Sequence, residues 1–170
     1  MSTKIKLIFF DFDGVISDSP EPEDGIAKWV AHHKKPYPHK GGGWWSKSES
    51  LDLDVFDIQP IETIREIYKN AGEEVIKVLL TDRMIELEPQ VKAVLAKHDI
   101  QMDYLSLKRG WKNTKGQRIE RFLRENIDVT EVEFYDDQER HFESAFYLHS
   151  KFPTVNIKFF HVIKGEIKEV

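Results

Sequence analysis

The chain has 170 residues, a formal net charge of −5 and no cysteine. This length favours one domain that buries roughly 70% of its unfolded surface. The missing cysteines exclude disulfides, thiolate metal sites and cysteine nucleophiles, and the acidic balance argues against a general coating of nucleic acid. Only four apolar residues stand between Lys6 and Asp11, too few for a signal peptide, and no apolar stretch reaches membrane-spanning length. We therefore expect a soluble, cytoplasmic protein that does not bind membranes.

The first predicted strand carries the apolar run Leu7 to Phe10 and ends at Asp11-Phe12-Asp13-Gly14. An unbroken apolar run is typical of a strand buried on both faces. Two carboxylates at ~4 Å repel by about 4 kcal/mol at an effective dielectric near ~20, so a cation, a shared proton or divergent directions must relieve them. Gly14 permits a sharp turn. Ligands bind beyond the carboxyl ends of parallel strands, which makes this turn a candidate site, although Asp and Gly are also ordinary turn residues.

The next segment, about residues 20–59, is predicted to form a small cap or lid over the end of this strand. Its first part, Pro20 to Lys35, has acidic residues at its start and an apolar stripe at helical spacing. Its second part, 36–59, has no periodicity and contains three consecutive glycines followed by Trp44 and Trp45. Long irregular loops in compact domains are usually functional. The two tryptophans either stack on a base or sugar of the substrate or anchor the cap on the core.

From Pro60 onward, helical and strand patterns alternate along the chain. This alternation predicts an α/β fold with a doubly wound, mainly parallel sheet, in a single domain spanning 1–170 with the cap inserted after the first strand. Predicted helices start at Pro60 and near Glu88 and cover 113–126 and 140–150. Predicted strands cover 74–80, 102–107, 130–135 and 154–162, with a short final strand after a turn at Lys164-Gly165.

Polar residues stand at the ends of the predicted strands. Thr81-Asp82-Arg83 follows the second strand, and Asp136-Asp137 follows the fourth. Because these ends share one edge of a parallel sheet, the two acidic clusters there would form an oxygen-lined site suited to Mg²⁺. Thr81 offers a hydroxyl group for a phosphate oxygen.

A lysine at the start of the helix predicted over 113–126 adds a positive charge to this edge. Lys115 lies four, seven and eight residues before Ile119, Phe122 and Leu123, so it shares the helix face that packs on the sheet. Its amine can supply the point charge that a phosphate needs. Lys112 is the alternative.

DFDGV, LLTDR, the helix-initial lysine and FYDD resemble the four motifs of the haloacid dehalogenase-like (HAD) phosphohydrolases, over nearly the whole chain. SPEP, GWW, VLLTDR and EFYDDQERHF resemble more closely the Swiss Army Knife RNA repair-like subfamily. The last motif is also similar to the phosphatase domain of polynucleotide kinase-phosphatases. One position departs from the family pattern: Asp82 stands where a glycine is usual, so its carboxylate would lie near the phosphate unless Arg83 neutralises it.

The resemblance implies a Mg²⁺-dependent phosphatase that acts through an aspartyl-phosphate. Asp11 would be the nucleophile and Asp13 the general acid and base. Thr81 and Lys115 would stabilise charge on the transferring phosphoryl group. His141, just after the last motif, is either structural or catalytic. The residues implied as Mg²⁺ ligands are Asp11, Asp13 through its carbonyl, Asp136 and, through water, Asp137.

The basic run over residues 108–124 favours a nucleic-acid end as the substrate, a 3′- or 5′-phosphate of RNA or DNA, or else a nucleotide. Lys112, Lys115, Arg118 and Arg121 recur every third residue and would form a basic row beside Trp111, although a solvated helix face accounts for the run as well. The candidate substrate contacts are Thr81, Asp82, Arg83, Lys112, Trp44, Trp45 and Arg118.

Three other functions remain open: a small-metabolite phosphatase, a phosphorylatable signalling module of receiver type, and a HAD fold used only for binding. A receiver has its acidic pair first, whereas here Thr81 and Lys115 precede the second pair and Asp13 adds an acid/base. The intact acids argue against a binding-only protein, and Asp82 argues for it.

Overall fold

The computed structural model describes residues 5–110 and 113–170, and a six-stranded sheet forms its centre. The order across the sheet is β3-β2-β1-β4-β5-β6, and every neighbouring pair is parallel except β5 and β6. The predicted doubly wound, mainly parallel α/β fold is confirmed. The strands are β1 (Ile5–Phe10), β2 (Val75–Met84), β3 (Tyr104–Lys108), β4 (Val129–Asp136), β5 (Asn156–Ile163) and β6 (Glu166–Glu169).

Helices cover both faces of this sheet and enclose two apolar cores. The first three helices contribute to one core and the last three to the other. No helix in the described residues combines the length and the apolar character that a bilayer crossing requires. The helices are α1 (Pro22–His33), α2 (Glu62–Asn70), α3 (Glu88–Lys97), α4 (Lys115–Glu125), α5 (Glu139–Glu143) and α6 (Leu148–Lys151).

The alternation of side chains along each strand decides which of these two cores a residue enters. In β1, Leu7 and Phe9 pack into the core of α4–α6, whereas Ile8 and Phe10 pack into the core of α1–α3. The strands β2 and β4 alternate in the same way. Residues that follow the apolar run of a strand keep this alternation, so successive side chains point to opposite faces of the sheet.

Several boundaries differ from those predicted. The helix predicted from Pro20 begins at Pro22. The single helix predicted over 140–150 is wrong, because α5 and α6 are separate; Ser144 Oγ donates to the carbonyl of His141 at 2.7 Å where α5 ends. The strand β2 continues through Thr81, Asp82 and Arg83 to Met84.

The segment over residues 20–59, which we call the cap segment, contains α1 and two 3₁₀ turns, Trp44–Ser46 and Ser48–Leu51. It is irregular but well anchored, because Trp44, Leu51, Phe56 and Ile58 are buried in the core of α1–α3. Its role as a lid remains a prediction.

Candidate active site

The ends of three adjacent strands, β2, β1 and β4, bring the predicted polar residues to one edge of the sheet. Asp11 follows β1 directly and Asp136 is the last residue of β4. In the alternation along each strand, both side chains fall on the face that packs against α4–α6, so both point toward the start of α4. There Lys115 Nζ lies 2.8 Å from Asp11 Oδ2 and 2.6 Å from Asp136 Oδ2. The predicted convergence of these three residues is therefore what the structure shows.

The turn after β1 fixes the position of the Asp11 carboxylate. The Phe12 amide donates to Asp11 Oδ1 at 2.7 Å, and the Asp11 amide donates to the Tyr135 carbonyl at 2.9 Å. Gly14 has a φ of 72°, and a Cβ atom there would lie 2.8 Å from Asp137 Oδ2. Glycine is thus needed both for the left-handed backbone and for the close approach of Asp137.

The start of α4 carries Lys115 into the interior. Thr114 and Gln117 form a capping box, in which the Gln117 amide donates to Thr114 Oγ1 at 3.2 Å and the Thr114 amide donates to Gln117 Oε1 at 3.0 Å. At Gly116 the helix approaches α5 so closely that a Cβ atom would overlap the Ser144 carbonyl oxygen. The Lys115 side chain is fully buried as a result.

Burial acts on the pKa values of three acids at this site, Asp11, Asp136 and Asp137. Burial raises the pKa of Asp11 to about 8, although Lys115 opposes the shift. For Asp136 burial acts in the same direction, but Lys115 and His141 outweigh it and hold the pKa below its usual value. Burial and then the charge of Asp136 raise the pKa of Asp137 to about 6. Lys115 alone therefore does not neutralise the cluster.

These acids fit a divalent cation. Ligand atoms of Asp11, Asp136 and His141 all lie within 4.8 Å of one another. Asp137 Oδ1 is buried and has no hydrogen-bond partner among the described residues. Buried carboxylate oxygens that lack sufficient positive charge are the donors that Mg²⁺ prefers. The expected ligands Asp11, Asp136 and Asp137 therefore suit the ion, and for Asp13 only the carbonyl is a candidate, because its carboxylate is bound elsewhere.

Arg83 does not neutralise Asp82; other residues do. These residues are adjacent in β2, so their side chains point to opposite faces of the sheet. Asp82 faces α4, where Arg118 Nη2 lies 2.6 Å, Lys108 Nζ 3.5 Å and His141 Nε2 3.5 Å from its carboxylate. Burial would raise the pKa of Asp82, but these contacts hold it well below the usual range. Asp82 is thus a neutralised carboxylate.

Arg83 faces the cap segment and binds Asp13. Its Nε donates to Asp13 Oδ2 and its Nη2 to Asp13 Oδ1, each at 2.8 Å. The side chain of Arg83 is completely buried. The role predicted for Arg83, contact with the substrate, is therefore replaced by contact with the proposed acid/base.

Thr81 points to the same face of the sheet as Arg83 and lies beside Asp11 and Asp13 in the wall of one cavity. It is buried, and its hydroxyl accepts a hydrogen bond from the Arg83 amide at 3.1 Å. Its position suits the predicted contact with a phosphate oxygen.

The two tryptophans of the cap segment have different environments. Trp44 is only 2% exposed and donates from Nε1 to the Pro20 carbonyl at 2.8 Å, so it anchors the cap segment. Its predicted contact with a substrate is wrong, because no face of the ring is accessible. Trp45 is 36% exposed, lines the cavity and lies 5.1 Å from the guanidinium of Arg83. Stacking on a substrate thus remains open for Trp45.

The predicted basic row does not form a continuous surface. Lys115 is buried, and Arg118 is bound inside by Asp82 and by the carbonyls of Thr81 and Ser106 at 2.8 and 3.0 Å. Arg118 is therefore not available as a direct substrate contact. Arg121 is exposed. Trp111 and Lys112 lie outside the described residues.

Two residues of the site were not assigned from the sequence. His141 Nδ1 lies 2.8 Å from Asp136 Oδ1, so the histidine joins Asp136 to Asp82. Its place directly after the last motif was the available signal. Ser50 is fully buried and hydrogen-bonds to Arg83, but the surrounding SKSES segment carries no pattern that predicts this.

Asp11, Asp13, Thr81, Asp137 and His141 border a cavity of about 960 Å³. Carboxylates outnumber cations in its wall. The acids are Asp11, Asp13, Asp18, Glu21, Asp24, Asp57, Asp82 and Asp137, and the cations are Lys28, Arg83, Arg140 and Lys164 beside His141. A phosphate group would therefore need the positive charge of a bound ion to enter.

A search of protein-family models and of curated proteins gives no match. Solved structures do match. A protein from Lactobacillus plantarum described as a phosphoglycolate phosphatase has a TM-score of 0.58 at 15% identity, over 94% of this chain and 86% of its own. The HAD domain of the effector protein Lem4 from Legionella pneumophila has a TM-score of 0.57 at 17% identity, over 97% and 90%.

A HAD-superfamily hydrolase of subfamily IA from Geobacter sulfurreducens has a TM-score of 0.55 at 16% identity, over 94% of this chain and 89% of its own. Identities this low establish the fold alone. The chain therefore has the fold of the HAD-superfamily hydrolases.

Proposed function

We propose that this protein is a Mg²⁺-dependent phosphatase that hydrolyses phosphate monoesters through an aspartyl-phosphate on Asp11. The observation that carries the proposal is the Asp11 carboxylate, which two hydrogen-bond donors hold in the wall of a cavity. The Phe12 amide lies 2.7 Å from one oxygen and Lys115 Nζ 2.8 Å from the other. The same cavity exposes Asp13, Thr81 and Asp137.

The first step transfers the phosphoryl group to Asp11. A carboxylate oxygen of Asp11 attacks phosphorus, the bond from phosphorus to the ester oxygen breaks, and protonated Asp13 gives its proton to that oxygen. In the second step Asp13, now a carboxylate, takes a proton from water as the water attacks phosphorus. The bond to Asp11 breaks, and inorganic phosphate and free Asp11 are formed.

Charge on the transferring group is stabilised by Lys115 and Thr81. Lys115 is buried and fixed by two carboxylates, so it needs little reorganisation during the reaction. The ion would be held by Asp11, the Asp13 carbonyl, Asp136 and Asp137. When bound, Mg²⁺ supplies positive charge that polarises a phosphoryl oxygen.

The substrate that we propose is the phosphorylated end of a nucleic acid. A second groove, of about 550 Å³, is lined by Lys92, Arg109 and Arg121 and by the half-exposed ring of Tyr104, together with the acids Glu88, Asp103 and Glu125. Arg118 and Lys108 also line it but pair with Asp82, so the contacts to a strand would come from the other three cations. Cations beside an aromatic ring suit a single strand.

A small phosphate ester is the second candidate, and the excess of carboxylates around the cavity favours it. Acids at the mouth, including Glu21 and Asp24, would repel a polyanion that entered there. The neutralised Asp82 no longer argues for a protein that only binds phosphate.

Phosphate release by the wild type and by Asp11→Asn tests the reaction. We expect activity to disappear with EDTA and return with Mg²⁺, and the Asp11→Asn protein to fold but release no phosphate. Asp99→Asn, an exposed change far along the chain, is the matched control. An Asp11→Asn protein that retains a tenth of wild-type activity would contradict the mechanism.

The salt dependence of substrate binding distinguishes the two candidate substrates. If about three cations contact a single strand, binding of a 3′-phosphorylated oligonucleotide should weaken roughly 20-fold between 50 and 200 mM salt. A mononucleotide should weaken much less. Arg109→Ala and Arg121→Ala should reduce kcat/KM for the oligonucleotide only. Equal specificity constants for both substrates, unchanged by these substitutions, favour the small ester.

A further inference from the structure

Arg83 lies between the cap segment and the catalytic turn. Its side chain makes four hydrogen bonds, two on each side. On one side both oxygens of Asp13 accept, and on the other side Nη1 donates to the Trp45 carbonyl at 2.9 Å and to Ser50 Oγ. The guanidinium group has five donors in one plane, so four of the five are used. We call this set of contacts the Arg83 bridge.

The Arg83 and Ser50 parts of the bridge are buried, and Trp45 covers the guanidinium. Arg83 is 2% exposed and Ser50 is fully buried. Ser50 Oγ also donates to the Lys47 carbonyl at 2.7 Å, and the Trp45 ring lies over the guanidinium at 5.1 Å. A planar fork that the cap segment fixes in this way also fixes the plane of the carboxylate that it binds.

We propose that Arg83 is a positioning residue that couples the cap segment to Asp13: when the cap is seated, the guanidinium orients the Asp13 carboxylate for proton transfer. This inference rests on the proposed phosphatase function. Asp13 has one exposed side toward the cavity and is otherwise held by Arg83, since 23% of its side chain is accessible. Movement of Trp45 and Ser50 away from β2 would remove two acceptors from the guanidinium and leave Asp13 held by a mobile group.

The coupling predicts a loss that depends on the leaving group. Proton donation matters for phenyl phosphate, and much less for p-nitrophenyl phosphate, because p-nitrophenolate leaves without a proton. In Arg83→Lys the charge stays but the fork is lost. We expect kcat/KM for phenyl phosphate to fall on the order of 10²-fold, the lower end of what general acid catalysis contributes, with a small change for p-nitrophenyl phosphate.

Two further variants separate the parts of the bridge. Ser50→Ala removes one acceptor on the cap side and should give the same selective loss to a smaller extent. Arg65→Lys, in a partly exposed pair with Glu62 at 3.7 Å on α2, is the matched control and should not change the hydrolysis of either ester. Equal losses on both esters in Arg83→Lys would indicate a purely structural role and overturn the proposal.

Amide hydrogen exchange measures the coupling between the cap segment and Asp13 without requiring catalysis. Asp13→Asn leaves the cap segment untouched but weakens the hold on Arg83, so exchange over residues 44–51 should become faster. Unchanged exchange there would overturn the coupling whatever the activity shows. If the wild type releases phosphate from neither ester nor from the 3′-phosphorylated oligonucleotide, the phosphatase proposal fails, and the exchange result still decides whether the bridge exists in solution.

Discussion

Two carboxylate clusters on opposite faces of α4 have similar partners and different surroundings. Asp11 and Asp136 meet Lys115 in the interior, where the side chains of Lys115 and Asp136 are inaccessible. Glu120 meets Arg124 at 2.8 Å and Lys151 at 2.7 Å and accepts from Tyr147 at 2.8 Å, and the two cations are 60% and 40% exposed. Glu120 is therefore covered by its own flexible partners and not by the core.

In the two clusters the pKa of the central carboxylate shifts in opposite directions. Hydrogen bonds from Lys151, Arg124 and Tyr147 lower the pKa of Glu120 to about 2, whereas burial raises the pKa of Asp11 to about 8 in spite of Lys115. The same ion pairing thus stabilises a solvated carboxylate and only partly compensates a buried one. An incompletely compensated charge can bind a cation, which makes the interior cluster the candidate site.

The largest expected effect comes from removing the interior cation. Lys115→Met leaves Asp11 and Asp136 buried without the cation between them, and breaking a buried ion pair typically costs about 3–5 kcal/mol. The loss should be measured by urea denaturation at pH 7. Lys151→Met is the matched control at the exposed cluster and should have little effect, because water screens its pair. Equal losses in both variants would contradict the contrast between the clusters.

The second prediction concerns pH and metal. The folded state holds protons on Asp11 and Asp137 more tightly than the unfolded state does, so ionising them costs stability as the pH rises. The loss runs from about pH 4 to about 6 for Asp137 and to about 8 for Asp11. Without metal, Tm should therefore be lower at pH 8 than at pH 5, by about 2–4 °C for each ~1 kcal/mol lost.

Mg²⁺ should oppose this loss, so its stabilising effect should be larger at pH 8. Asp137→Asn should raise the metal-free Tm at pH 8 and reduce the response to Mg²⁺. Thermal melts with EDTA or Mg²⁺ at both pH values measure these effects. A metal-free Tm that rises toward pH 8 would show that these carboxylates are not buried as described.

The third prediction applies the same contrast to the adjacent tryptophans. Trp44→Ala removes a buried ring and should cost about 3–5 kcal/mol. Trp45→Ala loses mainly its contact with the Arg83 guanidinium, which is worth about 1 kcal/mol. Only Trp45→Ala should raise KM for substrates that carry a base. Denaturation midpoints and KM for a nucleotide, compared with p-nitrophenyl phosphate, distinguish the two residues.

The smallest effect is expected at the exposed cluster. Glu120→Gln keeps the shape of the side chain and removes its charge, and the change in the free energy of unfolding should be roughly an order of magnitude below that of Lys115→Met. The measurement is repeated in high salt, where the difference from the wild type should shrink further. A loss that persists in high salt would indicate hydrogen bonding as the main contribution.

The sequence predicted the parts of the site that follow from strand ends. Asp11, Lys115 and Asp136 meet, and Thr81 lies beside Asp11 in the cavity wall, because an apolar run locates each strand and parallel strands end at one edge. The face of α4 that carries Lys115 follows from its spacing to Ile119 and Leu123. Leu80 faces α4, so the alternation of side chains along β2 would have placed Asp82 toward α4 and Arg83 toward the cap segment.

Other features depend on long-range packing that no local pattern encodes. The partners of Arg83 come from 70 and 33 residues away, at Asp13 and Ser50. The burial of Trp44 and the partial exposure of Trp45 depend on how the whole cap segment packs on the core. The break between α5 and α6 reflects hydrogen bonding by one serine, which sequence periodicity does not detect.

The irregular end of β2 makes the length of this segment as important as its composition. From Leu80 to Met84 the strand advances four residues, while its neighbour β3 advances two, from Ser106 to Lys108. A deletion of one residue in this stretch would leave the hydrophobic content unchanged but exchange the two faces for every residue that follows. A guanidinium would then be directed toward Lys115 and a carboxylate toward Asp13, each beside a like charge. Insertions and deletions at this point should thus be tolerated far less well than substitutions, and homologous chains should keep the spacing between Leu80 and Met84 even where the residues themselves differ.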